Sequence, residues 1–355
     1  MRRFASSPTG PALRVLARAW GFTLVEVLVA VGITALLAGF IVAIVANVSG
    51  FWSRTSGRVS AEAQGRFILD QVALDLQAAL YRDDGAAWLA ATIPANTNNT
   101  GLWNTNGATT AAIKPANGAG SLQGIATGAL TDARFGVAGT WLRFFTTRRG
   151  ANSGLTTASA PVAVSYQIVR RAISGVETRT PVDRRYLLHR AEVRPGRPTA
   201  TSGSVGVLET GFDVTAAAYG AAANPAVGDP GELRRPTINS VIGENVIDFG
   251  VRLYVRDAAS PTGLRQVFPA TNTTLTYIAR SPASATGATD PFPEVADIMV
   301  RVLTDEGAGV IAGYEANPQR ITAPVGVTAQ NYWWQLALAN SQVFTRRVVL
   351  KGGAL

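Results

Sequence analysis

One carboxylate stands alone in the most apolar stretch of this chain. Between Phe22 and Ala46, Glu26 is the only ionisable side chain. A helix of about 25 residues, at a rise of roughly 1.5 Å per residue, is about 37 Å long and exceeds a hydrocarbon core of roughly 30 Å. A charged side chain costs about 2.5 to 3.5 kcal/mol at the centre of that core, and less near its edge. We therefore expect residues 22–46 to span a membrane, and Glu26 to need a partner.

The residues before and around Glu26 resemble the signature of a known family. A basic leader ends in Gly21, and Phe-Thr-Leu-Val-Glu follows from Phe22 to Glu26 at the start of the apolar run. This pattern is similar to that of type IV prepilins and type II secretion pseudopilins. The resemblance implies that residues 1–21 are a leader, that a prepilin peptidase cleaves after Gly21, and that Phe22 becomes N-methylated. It also implies that Glu26, fifth in the mature chain, attracts a terminal amine during assembly.

The charges near this cleavage point are consistent with such a role. An α-amino group has a pKa of roughly 7.7 to 8, so a freed Phe22 amine would be largely cationic at neutral pH, and methylation keeps the charge. Glu26 is four residues further along and lies on the same helix face. It can neutralise its own terminus or that of a neighbour, and the resemblance implies the neighbour. An ordinary signal anchor with an incidental glutamate is the alternative.

The leader also predicts the orientation of the chain. It carries four arginines and no acid precedes Glu26, so the positive-inside rule places the N-terminus in the cytoplasm and the rest beyond the membrane. Of the formal net charge of +9, 9 − 4 = +5 remains without the leader. The remaining basic residues are spread through strand-like segments, which is typical of a solvated sheet face and not of a nucleic-acid site. The resemblance implies a bacterial inner-membrane protein with a periplasmic head, possible export in an extracellular filament, and other pilin-like subunits as partners.

Catalytic and metal-binding patterns are sparse. The sole histidine, His189, lies in a strand-like run, where a packed or surface position is favoured over a catalytic triad. The sequence has no cysteine, no Gly-x-Ser-x-Gly elbow, no Walker A loop and no His-Glu-x-x-His motif. We therefore expect no enzyme activity, no cofactor and no catalytic or metal-binding residue. Asp83-Asp84, or Asp290 with Glu294 and Asp297, leave a calcium site open.

Hydrophobic periodicity predicts a second helical segment after the membrane. Leu69, Val72, Ala73, Leu76 and Leu80 follow a spacing near 3.6 residues. We expect an amphipathic continuation over residues 47–85, ended by the turn-forming run at 83–85. Glycine and serine between residues 49 and 58 predict a bend or a weak point there.

Alternating apolar residues predict a β-rich head over residues 86–355. Strands are expected around residues 141–146, 162–168, 185–190, 247–255, 296–302 and 344–350. Long loops are expected over residues 195–240 and 258–292, and loops with short strands over residues 86–136. We expect Trp88 and Trp103 to anchor loops to the core, and Tyr332-Trp333-Trp334 to be either core or a contact surface.

The predicted fold class is thus α+β, with a long N-terminal helix packed on an antiparallel sheet. This is the pilin-like arrangement that the resemblance implies. Segments of the head, such as Val164 to Arg171 and Pro293 to Val300, resemble minor pseudopilins of the J class. Segments of the rod, such as Ser49 to Arg54, resemble the pilin-like Verru_Chthon cassette protein C. A membrane-anchored binding module or enzyme that uses the helix only as a tether is the alternative function.

Overall fold

The structure is a computed structural model of the chain. It describes residues 23–82, 84–93, 139–147, 161–172, 184–193, 214–215, 238–270, 276–280, 290–316, 322–327, 329–350 and 353–354. Two compact units are present, Met1–Ser53 and Arg54–Leu355. We call the second unit the head.

Three α-helices and twelve strands lie in the described residues. The helices are α1 (Leu24–Gln77), α2 (Asp305–Ala316) and α3 (Ala329–Ala339). The strands are β1 (Leu80–Tyr81), β2 (Ala87–Thr92), β3 (Trp141–Thr146), β4 (Val162–Ala172), β5 (Arg184–Val193), β6 (Val241–Glu244), β7 (Val246–Arg256), β8 (Leu264–Phe268), β9 (Thr276–Arg280), β10 (Val295–Leu303), β11 (Ser341–Val349) and β12 (Gly353–Ala354). A short 3₁₀ helix, Ile238–Ser240, precedes β6.

The described part of the first unit is helical from Leu24 onward, and every residue from 23 to 53 is exposed. The Thr34 hydroxyl donates a hydrogen bond of 2.7 Å to the carbonyl of Ala30, which satisfies that polar group within the helix. By length and composition, α1 is able to cross a membrane.

The head contains two main antiparallel sheets. One has six strands in the order β6-β5-β4-β3-β2-β9, and the other has four in the order β11-β10-β7-β8. The strands expected at 162–168 and 185–190 are neighbours in the six-stranded sheet, with Ile168 opposite Leu188. A small parallel pair joins β1 to β12. The α+β class, with a long apolar N-terminal helix and antiparallel sheets, is therefore confirmed.

The main core of the head brings together α1 and both sheets. The helix contributes Ile68, Val72 and Leu76, the six-stranded sheet contributes Phe144, and the four-stranded sheet contributes Phe249. Other residues of the six-stranded sheet form a second buried cluster, whose largest members are Trp88, Trp141 and Phe145. Trp88 anchors the core as predicted, and Trp103 lies outside the described residues.

The end of α1 differs from the prediction. The helix ends at Gln77, before the turn-forming run that was expected to end it. The Thr146 hydroxyl, on β3, donates to the carbonyls of Asp75 and Ala78, each at 3.2 Å, and the Thr147 amide donates to Ala78 as well. The carbonyls at the end of the helix thus accept hydrogen bonds from a strand, instead of from amides of a further helical turn. Residues 49–58, where a bend or weak point was expected, are helical, and the boundary between the two units falls within them.

Two predictions for the head are corrected. Residues 258–292, expected to be a long loop, contain β8 and β9, and α2 and α3 were not predicted. Three glycines in α2 lower its helix propensity, which is why the sequence pattern did not predict it. The Thr304 hydroxyl caps this helix by accepting a hydrogen bond of 3.1 Å from the Gly307 amide.

The Tyr332-Trp333-Trp334 cluster lies on α3, where Trp333 is buried and its two neighbours are half-buried. The core interpretation of this cluster is therefore favoured.

Small residues allow α1 to approach the head closely. Gly57, Ala61 and Gly65 are four residues apart and are all buried, so they share one helix face. The Phe344 ring of β11 lies directly over Gly65, since a Cβ atom added there would be 2.3 Å from the ring. At Gly57 an added Cβ would meet its nearest atom at 3.6 Å, which is an ordinary contact.

This difference predicts opposite effects of the same added methyl group. Gly65→Ala should destabilise the head by up to about 2 kcal/mol, because overpacking costs about 1–3 kcal/mol and helix propensity returns only about 1 kcal/mol. Gly57→Ala, the matched control, should leave stability unchanged or raise it. Urea unfolding followed by near-ultraviolet circular dichroism measures both. Equal stability of the two variants would contradict the close approach of Phe344.

Candidate functional site

Glu26 closes a capping box at the start of α1. The backbone amide and the hydroxyl of Thr23 both donate to Oε2 of Glu26, each at 2.9 Å. In return, the Glu26 amide donates to the Thr23 hydroxyl at 3.2 Å. This reciprocal pattern satisfies two backbone amides that a helix start leaves without partners. Gly21 and Phe22, the residues of the predicted cleavage, lie outside the described residues.

The cap occupies only part of the Glu26 carboxylate. Both bonds from Thr23 go to Oε2, and within the described residues no hydrogen bond reaches Oε1. An ionised carboxylate has about four acceptor positions. One oxygen therefore remains for a cation, and the cap holds it close to residue 23.

Exposed apolar residues also continue along α1 within the head. Val59, Phe67 and Leu74 are 61%, 55% and 47% exposed. They are separated by eight and seven residues, about two helical turns each, so they lie along one face, here called the outer stripe. Ala61, Ile68 and Val72 are buried on the other side of the same helix. The outer stripe is thus a row of exposed apolar side chains, and the exposed Arg66 and Asp70 lie between them on the same side of the helix.

A buried ionic network fixes α1 against the six-stranded sheet. Asp75 of α1 is fully buried, and its Oδ2 accepts a hydrogen bond of 2.6 Å from Nε of Arg190 on β5. The Tyr166 hydroxyl donates to the same oxygen. Arg190 also contacts Glu192 at 2.8 Å. We call these four residues the Asp75 network.

The geometry of the sheet sets up this network. Tyr166 on β4 and Arg190 on β5 are opposite each other in the antiparallel register, so both reach one carboxylate. Burial raises the pKa of the Tyr166 hydroxyl well above its ordinary value, and the Asp75 carboxylate raises it further. Burial lowers the pKa of Arg190, but its contacts with Tyr166, Asp75 and Glu192 outweigh that effect and raise it. Tyr166 is therefore a neutral donor and Arg190 a fixed cation.

His189 and two of the acidic residues considered for calcium binding have partners within the head. His189 is fully buried in β5, with Nδ1 3.2 Å from the Ser240 hydroxyl. Glu294 pairs with Arg256 at 3.0 Å, and Asp297 binds Arg347 at 2.6 and 2.7 Å. Among the residues that the structure describes, no three His, Asp or Glu side chains are grouped to hold a metal ion.

Two features of the site were not predicted from the sequence. Thr23 and Glu26 have the Thr-x-x-Glu spacing of a capping box before an apolar run, and this signal could have been found. Asp75 and Arg190 are 115 residues apart, and no local pattern connects them.

Comparisons of this chain with protein-family models, with curated proteins and with solved structures found no match.

The Asp75 network predicts a large difference between two aspartates of the same helix. Asp75→Ala should destabilise the head by about 3–5 kcal/mol, because it leaves Arg190 buried without this partner. Asp70→Ala, the control, removes a partner of the exposed Arg346 and should cost at most about 1 kcal/mol. Chemical denaturation of the purified chain measures both. A loss below 1 kcal/mol for Asp75→Ala would show that the network does not hold the helix.

Proposed function

We propose that this chain is a non-enzymatic, pilin-like subunit of a filament of the type IV pilus or type II secretion pseudopilus kind. A prepilin peptidase removes residues 1–21, Phe22 is N-methylated, and α1 anchors the subunit in the bacterial inner membrane before assembly. The N-terminus is cytoplasmic and the head is periplasmic.

The observation that carries this proposal is the combination of Glu26 with an entirely exposed apolar helix. Each of residues 24–48 is exposed, and Glu26 is the only charged residue among them. An exposed apolar surface of this length needs lipid or protein around it. A filament provides the second of these, and a terminal amine provides the cation that Glu26 needs.

The outer stripe supports assembly over a simple tether. A tether requires an apolar surface only where it crosses lipid. Val59, Phe67 and Leu74 instead lie on the part of α1 that packs on the sheets of the head. Contact with neighbouring helices would bury them. A membrane-anchored binding module or enzyme remains the alternative function, and it needs no cleavage at Gly21.

The mature N-terminus separates the two functions. When the chain is expressed with a prepilin peptidase, mass spectrometry of the purified protein should find N-methylated Phe22 as the first residue. Replacement of Gly21 by leucine should leave the leader attached. A wild-type chain that keeps Met1 in the presence of active peptidase would refute the proposal and favour the tethered module.

The charge of Glu26 and its capping role can be separated by two substitutions. Glu26→Gln keeps an oxygen that accepts the Thr23 amide but removes the charge, so filament incorporation should fall at least tenfold. Thr23→Ala removes the capping hydroxyl and keeps the charge, so incorporation should remain within about twofold of wild type. Immunoblotting of sheared filaments, normalised to the membrane fraction, measures both. Normal incorporation of Glu26→Gln would rule out the amine pairing.

A further inference from the structure

Two large aromatic side chains follow the apolar part of α1. Phe51 and Trp52 are each 70% exposed, and they lie between Gly50 and Ser53 in the chain. Every described residue before Gly57 is exposed. The aromatic pair is separate from the outer stripe, and the pairing of Glu26 with an amine does not involve it. An indole that is this exposed suits a place where one end is apolar and the other is wet.

The position of Trp52 matches the thickness of a bilayer. Leu24 begins α1, and Trp52 lies 28 residues further along in the same compact unit. At a rise of roughly 1.5 Å per residue, this part of the helix is about 42 Å long. A bilayer with its polar headgroup layers is about 40–45 Å thick. When the capping box of Thr23 and Glu26 lies in one headgroup layer, Trp52 therefore lies in the other.

An indole fits that second headgroup layer. Tryptophan is enriched where the membrane meets water, because its ring contacts acyl chains while its N–H reaches polar groups. Long side chains on a helix point back toward its N-terminus, so the Trp52 ring is directed toward the apolar span. Hydrocarbon is the surrounding that this direction provides.

Two arginines follow the aromatic pair in the chain. Arg54 is 3.4 Å from Glu306 of α2. Arg58 is exposed and has no ion pair with any residue that the structure describes. It lies six residues after Trp52, which is about 9 Å along a helix. An arginine side chain can reach back over most of that distance and keep its charge among polar groups.

Phosphate is the anion that this position favours. A guanidinium binds phosphate with two parallel hydrogen bonds, and basic residues close to a membrane span are attracted to anionic lipids. From residue 27 to residue 61 the chain has two arginines and no acid. A second copy at the same depth would therefore bring only further positive charge to Arg58. An anionic phospholipid provides both the phosphate for Arg58 and the acyl chains for Trp52.

We infer that residues 51–58 form a lipid-binding segment. Phe51 and Trp52 lie in the headgroup layer opposite the leader, and Arg58 binds the phosphate of an anionic phospholipid in that layer. The segment fixes the depth of the subunit in the membrane. This inference rests on the membrane anchoring that the proposed function includes, and it adds a lipid as a partner.

The chain has no cysteine, so single cysteines can carry nitroxide labels. Ser53→Cys places a label beside the aromatic pair, Ala38→Cys places one in the middle of the apolar span, and Ser60→Cys places one beyond Arg58. All three residues are exposed, so folding should be kept.

Two matched pairs of substitutions separate the aromatic contact from the ionic one. Trp52→Ala removes the indole, and its control Phe67→Ala removes an exposed aromatic ring of the outer stripe. Arg58→Gln removes the guanidinium, and its control Arg66→Gln removes that of an arginine paired with Glu62. Near-ultraviolet circular dichroism confirms that each variant is folded.

Electron paramagnetic resonance of the labelled, uncut full chain in vesicles tests the inference. The vesicles contain phosphatidylcholine alone, or phosphatidylcholine with an equal part of phosphatidylglycerol, and no peptidase is present. The measurement is the collision rate of each label with a neutral, water-soluble nickel complex. In the mixed vesicles this rate should be at least twofold lower at Ser53→Cys than at Ser60→Cys, and lowest at Ala38→Cys.

The substitutions should change the rate at Ser53→Cys selectively. Trp52→Ala should raise it at least twofold, and Phe67→Ala should leave it unchanged. Phosphatidylglycerol should lower it about twofold in the otherwise wild-type chain and in Arg66→Gln, because the lipid draws Arg58 toward the membrane. In Arg58→Gln this effect of phosphatidylglycerol should be lost.

Four outcomes would overturn the inference. A Ser53 label as accessible as the Ser60 label, with the Ala38 label protected, would remove the lipid-binding segment and leave membrane anchoring intact. An accessible Ala38 label would overturn the anchoring as well. Spin–spin broadening at Ser53→Cys would assign the aromatic pair to a contact between copies of the chain. An undiminished effect of phosphatidylglycerol in Arg58→Gln would exclude the phosphate contact.

Discussion

The head depends on one buried carboxylate and the cation that binds it. Asp75 is fully buried on α1, and Arg190 on β5 contacts it at 2.6 Å. A buried charge without a partner is strongly destabilising, so alternative positions of the helix on the sheet are unfavourable. A shift by one turn, about 5.4 Å, would separate the pair and would also move Gly65 away from the Phe344 ring. The network therefore sets which residues of α1 face the core.

The same constraint determines what remains outside. With Ile68 and Val72 directed into the core, Val59, Phe67 and Leu74 have no access to it. Their exposure is thus a consequence of how the helix is fixed and not of loose packing. The outer stripe, with Arg66 and Asp70 between its apolar side chains, is the side of α1 on which the proposed assembly would place a neighbouring helix.

Local patterns in the sequence predicted most of the regular elements but few of their connections. The strand at 141–146 was predicted with the bounds that the structure has, because alternation is a local property. The end of α1 was predicted too late, since the Thr146 hydroxyl that binds its last carbonyls is 71 residues from Asp75. Partners such as Arg190 depend on the packing of the sheets. Thr23 was a different kind of omission, because its capping signal was local and readable.

The capping box sharpens the role proposed for Glu26. The Glu26 carboxylate accepts the amide of Thr23 through Oε2. Cleavage after Gly21 would create an ammonium on the residue directly before Thr23, next to a carboxylate whose Oε1 binds nothing among the described residues. Such a site attracts its own terminus or that of a neighbour without reorganising the helix start. Because a carboxylate has room for more than one donor, capping and amine pairing are compatible. The proposed cleavage would therefore leave the start of the helix unchanged.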